Sequence, residues 1–516
     1  MALTAANTPA NIVGTGRPVI VRLSTNNWVT ATGTAFARTL TATSGATVGQ
    51  TLVFTLGNGT VVTMTAATTP DASGTQFSAS TTTGSTLADD FQKNYWLNLW
   101  FVITSSGATV TFTARQVGTA YGITFTGTWS GYTLGTLTAG ADKVVRSNFT
   151  CLLDVWLETV LNSGNFGEEP IAKLSQTPDS IGYFTFDIGA VLDAYMKDVV
   201  PAYAGTSIVI ATGALLRYRV FVAESFNVPA VIQSVGQIGT NFHAIRARLP
   251  QATTVNNANS IPEGILTGRN TTKKVTTEQR EWLTVLSPQG GSGAWTTNIV
   301  VTFTDGTSVS MASPPTPPAL SGPGVFHFPV GYTQRNIASV LTGGNAGKTV
   351  AKYVVTVSFT SSGLEPAFTF EIVDKCPSFT RYFLFRNQLG GWETLRCGGI
   401  MTKTLTTERE VATQVIPANY SMQDAEMWNH EVGGQDEYET STGYVFRNQA
   451  DAEYYARELL LSEAVFWDNN GRWEPVYLTS NDVRLNRDRQ KMWSFGFRFR
   501  QGYTYGDKSS NLWNLG

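Results

Sequence analysis

Thiols and imidazoles are scarce in this 516-residue chain, which holds three cysteines (Cys151, Cys376, Cys397) and three histidines (His243, His327, His430), all far apart in sequence. That excludes a disulfide scaffold and leaves no ligand spacing for a zinc site, so no metal or other cofactor is expected. Charge is scarce too. Charged residues make up 14% of the chain against a usual value of about 25%. The formal net charge is −2, so no global basic field exists to hold a polyanion, and nucleic acid is not an expected partner. Long apolar runs are missing as well. The most apolar stretch, residues 96–104, falls far short of the roughly 20 residues of a spanning helix, and no membrane insertion is expected. Residues 1–17 lack the basic and apolar regions of a secretory signal, which points to folding in a cytoplasm.

What is present is β-forming. Hydrophobic residues are 42% and aromatic residues 11% of the chain, with 49 glycines, a composition that predicts a mainly β protein of several domains. Charge distribution divides the chain. Residues 41–140 carry five charged side chains (Asp71, Asp89, Asp90, Lys93, Arg115), whereas residues 381–516 carry 33 of the total of 74.

In the low-charge region, Thr51 to Leu56 alternates in polarity, meets Gly57-Asn58-Gly59-Thr60, and alternates again from Val61. This predicts a β-hairpin. Ser85 is expected to cap a short helix carrying Leu87, Phe91 and Tyr95, before alternation resumes at Ala108. Residues 41–141 thus read as a small β-rich unit with one helix. Strand-like segments flank it on both sides, so it is expected to be inserted into an N-terminal β-sandwich-like domain of residues 1–40 and 142–250. In that host, Asp187 is expected to cap a short helix with Val191, Leu192 and Tyr195.

Residues 251–270, rich in Thr, Asn and Gly, read as an exposed linker. A second β-sandwich-like domain is expected over 271–380, with the loop holding Pro314, Pro315, Pro317, Pro318 and Pro323 outside any sheet. Residues 381–516 read as a charged α+β domain. Its helix, over 449–462, buries Ala452, Ala456, Leu459 and Leu460.

Catalytic signals are weak. Acid pairs occur at Glu168/Glu169, Glu408/Glu410 and Asp436/Glu437/Glu439, as a glycosidase requires. Adjacent acids in Gly-rich surroundings such as Gly433-Gly-Gln-Asp-Glu read as solvated loop residues, so none is nominated as a catalyst. Cys397 follows Arg396, a cation that lowers a thiol pKa in an exposed turn, yet a structural thiol is the simpler reading. His430 reads as a surface histidine. Gly343, Gly344, Gly347, Lys348 and Thr349 lack the spacing of a phosphate loop. The Phe497-Arg498-Phe499-Arg500 alternation reads as a half-buried strand. Thirteen tryptophans allow a carbohydrate-binding reading, since flat rings stack on sugar faces. Trp129, Trp295 and Trp473, each beside Gly or polar turn residues, are the candidates for exposed aromatic contacts.

The inserted unit, with its Gly57-Asn58-Gly59 hairpin, capped helix and Val110-Thr-Phe-Thr-Ala strand, resembles small modules of phage tail and flagellar hook-associated proteins. The order of Gly16-Arg-Pro-Val-Ile-Val, Tyr183-Phe-Thr-Phe-Asp-Ile, the strand 217–222, Glu281-Trp-Leu-Thr-Val-Leu and the segment 381–394 resembles structural proteins of tailed bacteriophages infecting Bacteroidota. The resemblance implies a virion component of the tail tip, baseplate or neck, without enzymatic activity. It would be assembled in the host cytoplasm as a homo-oligomeric ring with other virion proteins. The charged C-terminal region would set orientation, and the insert would project as a decoration or a contact to a host-surface glycan. A carbohydrate-binding adhesin and a glycan-degrading enzyme are the alternatives.

Overall fold

The computed structural model describes residues 3–502 except 234, 249–259, 292, 312–314, 362, 364–365, 374–379, 416–417, 420, 422–426, 481–482 and 484–492. The chain is mainly β, as its composition dictates. The N-terminal unit packs a three-stranded sheet (Thr4–Asn7, Ile20–Ser24, Tyr183–Asp187) across a larger sheet. That larger sheet runs Ala172–Gln176, Thr150–Leu157, Leu215–Phe226, Gly236–Ile245 and Ile12–Gly14. Alternation in Thr150–Leu157 sends Cys151, Leu153 and Val155 inward, where they meet Val21, Leu23 and Phe184 from the facing sheet. Asp187 accepts from the Gly189 and Val19 amides, at 2.9 and 3.0 Å, and so positions the start of the Gly189–Ala194 helix.

Between the strands of this host the chain leaves and re-enters through a narrow neck. Val29–Ala31 pairs with Val144–Val145, and Thr34 bridges Ala141. A buried carboxylate fixes the neck's base: Glu224 accepts from the Thr25 hydroxyl at 2.6 Å and the Asn27 amide at 2.8 Å. Beyond the neck, two four-stranded sheets face each other. One comprises Tyr132–Thr138, Ala35–Ala42, Thr109–Val117 and Phe101–Ser106; the other comprises Ile123–Gly127, Thr51–Leu56, Val61–Ala67 and Gln76–Ser78. The unit therefore begins with the Ala35 strand rather than at residue 41, because Leu40 and Ala42 supply inward side chains to its core.

The hairpin lies where the sequence put it. Gly59, at φ +84°, takes a left-handed turn position that a Cβ would strain, and the Asn58 side chain accepts from the Thr60 amide. The helix differs. It spans Gly84–Lys93 with Thr83 at its N-cap position, so Ser85 lies in the first turn, and Tyr95 falls in a second helix, Tyr95–Trp100. Asn94 separates the two because its carboxamide oxygen caps the second, accepting from the Trp96 and Leu97 amides at 3.1 and 3.2 Å.

The next unit is also a sandwich. Its sheets are Val209–Ile210, Gly324–Pro329, Trp282–Ser287 and Gly264–Ile265 on one side, and Thr272–Val275, Ala367–Ile372, Val350–Phe359, Trp295–Phe303 and Ser308–Ser310 on the other. The segment expected as an exposed linker is part of it. Residues 251–259 lie outside the described residues, but Ile261 and Leu266 are buried and Gly264–Ile265 forms an edge strand. Their apolar side chains fill a cluster with Ile12, Leu215 and Ile245 of the host, which a free linker would leave exposed. Pro314 lies outside the described residues; no strand occurs over the described residues 315–323.

A seven-stranded sheet closes the chain, ordered Trp392–Cys397, Arg381–Arg386, Val465–Asn469, Arg472–Leu478, Gly496–Gln501, Met427–Ser441 and Met401–Thr413. The Gln449–Leu460 helix lies on it, capped by Asn448, with Ala452, Tyr455, Ala456 and Leu459 buried. Trp282, Leu384 and Trp392 form an apolar joint between this sheet and the preceding sandwich. No described helix is long and apolar enough to cross a membrane.

Candidate functional site

The three tryptophans expected to be exposed are packed against other rings. Trp129 is 2% exposed: its ring meets Phe77 and Tyr132 at centroid distances of 5.4 and 5.3 Å, and its indole donates to the Ser44 carbonyl. Trp295 is fully buried against Phe326 and Phe359. It opens a strand whose odd-numbered residues point inward, and that strand register overrides the glycines before it. Trp473 is half-buried between Tyr203 and Trp282, at 5.1 and 5.8 Å. Burying Trp129 and Trp295 removes apolar area from water; exposing either would lose roughly 2 to 3 kcal/mol.

The exposed aromatic surface is elsewhere, on the short second helix of the insert. Tyr95 is 69% exposed, Trp96 45% and Leu99 50%. At spacings of three and four residues these side chains share one helical face, and the Tyr95 and Trp96 rings meet edge-on at 5.3 Å. The opposite face holds the helix down through Leu97, which is fully buried. Both ends are fixed. Asn94 caps the first turn while its amide donates to the Gly74 carbonyl at 2.8 Å, and Arg115 donates to the Asn98 carbonyl and side chain at 2.8 and 3.0 Å. A rigid, neutral, amphipathic platform results, of the kind that stacks on a sugar or another protein surface. Its sequence signal was the apolar run at 96–104, whose exposed side chains periodicity alone did not reveal.

A second exposed feature is the Met401–Thr413 and Met427–Ser441 hairpin. These strands pair from Met401 opposite Thr440 to Thr413 opposite Met427, but only Glu437–Ser441 gains the Gly496–Gln501 strand as a further neighbour. Beyond that point the described ribbon is two-stranded. Leu405, Val411 and Met427 are 60, 53 and 66% exposed along it.

Several of the other candidates make defined contacts within the fold. Asp436 is salt-bridged to Lys403 at 2.7 Å on the face opposite Glu437 and Glu439. Those two acids face Arg500 at 3.5 Å and Arg498 at 3.2 Å, so the cluster is a set of cross-strand pairs. Glu168 and Glu169 are exposed, and the side chain of Glu408 lies outside the described residues. Cys397 is fully buried; burial pushes its thiol well up, outweighing the lowering by Arg381 and Arg396. Burial likewise pushes Cys151 up to about 12. Cys376 and the side chain of His430 lie outside the described residues. Lys348 bonds Asp305 at 3.0 Å and tethers its glycine-rich turn to the neighbouring hairpin. The Thr307 hydroxyl and amide, with Lys348, hold the Asp305 carboxyl down to about 2. Among the described residues no group of three or more His, Cys, Asp or Glu side chains is placed to hold a metal ion. No family model matches the chain, and a search of curated proteins found no match.

Proposed function

We propose that this chain is a structural subunit of a tailed-phage particle, a ring-forming component of the tail tip, baseplate or neck that works through its interfaces. The observation that carries the assembly reading is the ribbon beyond Glu437. Over residues 405–413 it extends about 30 Å. An isolated two-stranded ribbon is marginal in water, and one that exposes Leu405, Val411 and Met427 gains stability when another surface covers it. A neighbouring copy in a ring provides that cover. The phage assignment rests on the sequence resemblance.

The test is the mass and shape of the purified chain, by light scattering after size exclusion with negative-stain images of the same fraction. Closed rings or stacked tubes are expected, and Leu405→Lys with Val411→Lys should return them to about 56 kDa monomers. Rings that survive both substitutions would remove the ribbon from the interface. A wild-type monomer, with no assembly alongside partner virion proteins, would overturn the structural reading.

Glycan binding is the second reading, favoured by the Tyr95, Trp96 and Leu99 platform. Binding on a glycan array that Trp96→Ala abolishes would support it.

A further inference from the structure

The junction between the second sandwich and the C-terminal sheet contains a small cleft whose wall is strongly cationic. Arg269, Lys273, Lys274, Arg396 and Arg447 line it, and Asp451 is the acid among its described lining residues. Its volume, about 40 Å³, equals roughly three water-sized spheres. Three separate stretches of chain supply these side chains, so the cleft exists only when the two units are docked.

The charges on the wall are partly answered, since the Glu393 and Glu281 carboxylates beside Arg269 favour its cation, but individual N–H donors are left without an acceptor among the described residues. Lys273 is taken up by Glu281 at 2.7 Å, and Arg447 reaches Glu371 only at 3.8 Å near the surface. Arg269 is 7% exposed. Its Nη1 donates to the Asn270 carbonyl at 3.1 Å, and its plane lies near the rings of Phe368 and Phe370. Its Nη2 is buried without a hydrogen-bond partner among the described residues, and so is Nε of Arg396. A buried guanidinium N–H is a strong donor whose desolvation is costly when unanswered. Guanidinium groups answer the planar and tetrahedral oxyanions best, because their forked donors match two oxygens at once.

We infer that this cleft binds a small tetrahedral oxyanion of the phosphate class. Bound there, the ion accepts from Arg269 and Arg396 and is held at the mouth by Lys274 and Arg447. It joins two units of the chain through one ligand. Asp451 opposes it, since a half-buried carboxylate on the same wall repels an anion.

The test uses the full chain, dialysed into chloride buffer and titrated with sodium phosphate at matched ionic strength, followed by calorimetry and thermal unfolding. Wild type should show saturable one-to-one binding and a rise in unfolding temperature that chloride does not reproduce. Lys274→Gln with Arg447→Gln, both at the mouth and outside the core, should weaken binding about tenfold, whereas Asp451→Asn should tighten it about tenfold. No saturable response up to about 10 mM phosphate, a binding free energy of under about 3 kcal/mol by affinity arithmetic, would overturn the site. So would binding that neither the mouth variant nor Asp451→Asn changes.

Discussion

The inserted unit and the C-terminal sheet are built on similar cores and opposite surfaces. In the insert, Phe54 meets Phe91, Phe112 and Phe125 at 5.3, 5.8 and 5.4 Å; in the C-terminal sheet, Phe383 meets Phe497 and Phe499, each at 5.1 Å. Both interiors are aromatic clusters, edge-on and tilted in the insert, with stacked pairs such as Tyr438 on Phe499 added in the C-terminal sheet. The surfaces then diverge. The insert carries one ion pair among its described residues, Lys93 with Asp90, whereas cross-strand pairs such as Lys403–Asp436 and Arg498–Glu439 line the C-terminal sheet. Connection diverges in parallel: the insert's apolar core draws only on residues 36–134, while the C-terminal sheet shares Trp282 and Trp392 with its neighbour. In the C-terminal sheet the named pairs lie on the strands farthest from the apolar joint of Trp282, Leu384 and Trp392. The unit that hangs from a neck presents mostly uncharged side chains, with Asp71, Asp89, Lys93 and Arg115 as its exposed charges.

The strongest way to break that comparison is to remove the insert. Replacing residues 35–140 by a short Gly-Ser link between Thr34 and Ala141 should abolish one calorimetric unfolding transition and leave the remainder unchanged. Loss of the other transitions would show that the insert's core is not independent. Within the insert, Phe54→Ala should destabilise that unit by about 3 to 5 kcal/mol. Limited proteolysis should then cut inside 35–138 first; uniform cutting would contradict a separate core.

Acid separates the regions by chemistry, because all three histidines lie outside the insert. Burial depresses His327 to about 4, its Nε2 lying 2.8 Å from the Val199 carbonyl, and burial also lowers His243. Each is depressed below its unfolded value, so the unfolded chain binds more protons as pH falls from about 6.5. The stabilisation is complete above pH 6.5 and is lost toward pH 4, on the order of 3 kcal/mol for His327. Burial raises Glu458 and Asp451, which work in the opposite sense. The difference between wild type and His327→Gln therefore isolates the histidine, and chemical denaturation across that range should show it in the host and second sandwich but not in the insert. The smallest effect belongs to Arg498→Ala: its pair with Glu439 is more than half exposed on both sides and should be worth under about 1 kcal/mol, vanishing in high salt.

Local chemistry was legible in the sequence and register was not. The hairpin at Asn58-Gly59 and the Gln449–Leu460 helix follow from turn residues and side-chain spacing, both written within a few positions. Trp295 was misplaced because its neighbours in sequence are glycines, while its neighbours in space, Phe326 and Phe359, come from other strands. The Tyr95 platform was hidden by Asn94, whose side chain ends one helix and starts another; a helix read through that position puts Tyr95 in the buried stripe. The cationic cleft had no local signature at all, since Arg269, Arg396 and Arg447 meet only after two sheets dock.

The neck also sets an order of events in time. Every strand of the insert finds its partners within residues 35–138, whereas Ile20–Ser24 of the host waits for Tyr183–Asp187, and Ile12–Gly14 waits for the segment around His243. A chain emerging from its N-terminus completes the insert first and leaves Ile20–Ser24 with only the short Thr4–Asn7 strand beside it, and Ile12–Gly14 unpaired, until much later, because long loops close slowly and late. The insert then serves as a folded tether that keeps the two sides of the neck together. Nascent chains halted soon after residue 145 should accordingly resist protease across the insert while remaining sensitive before residue 29.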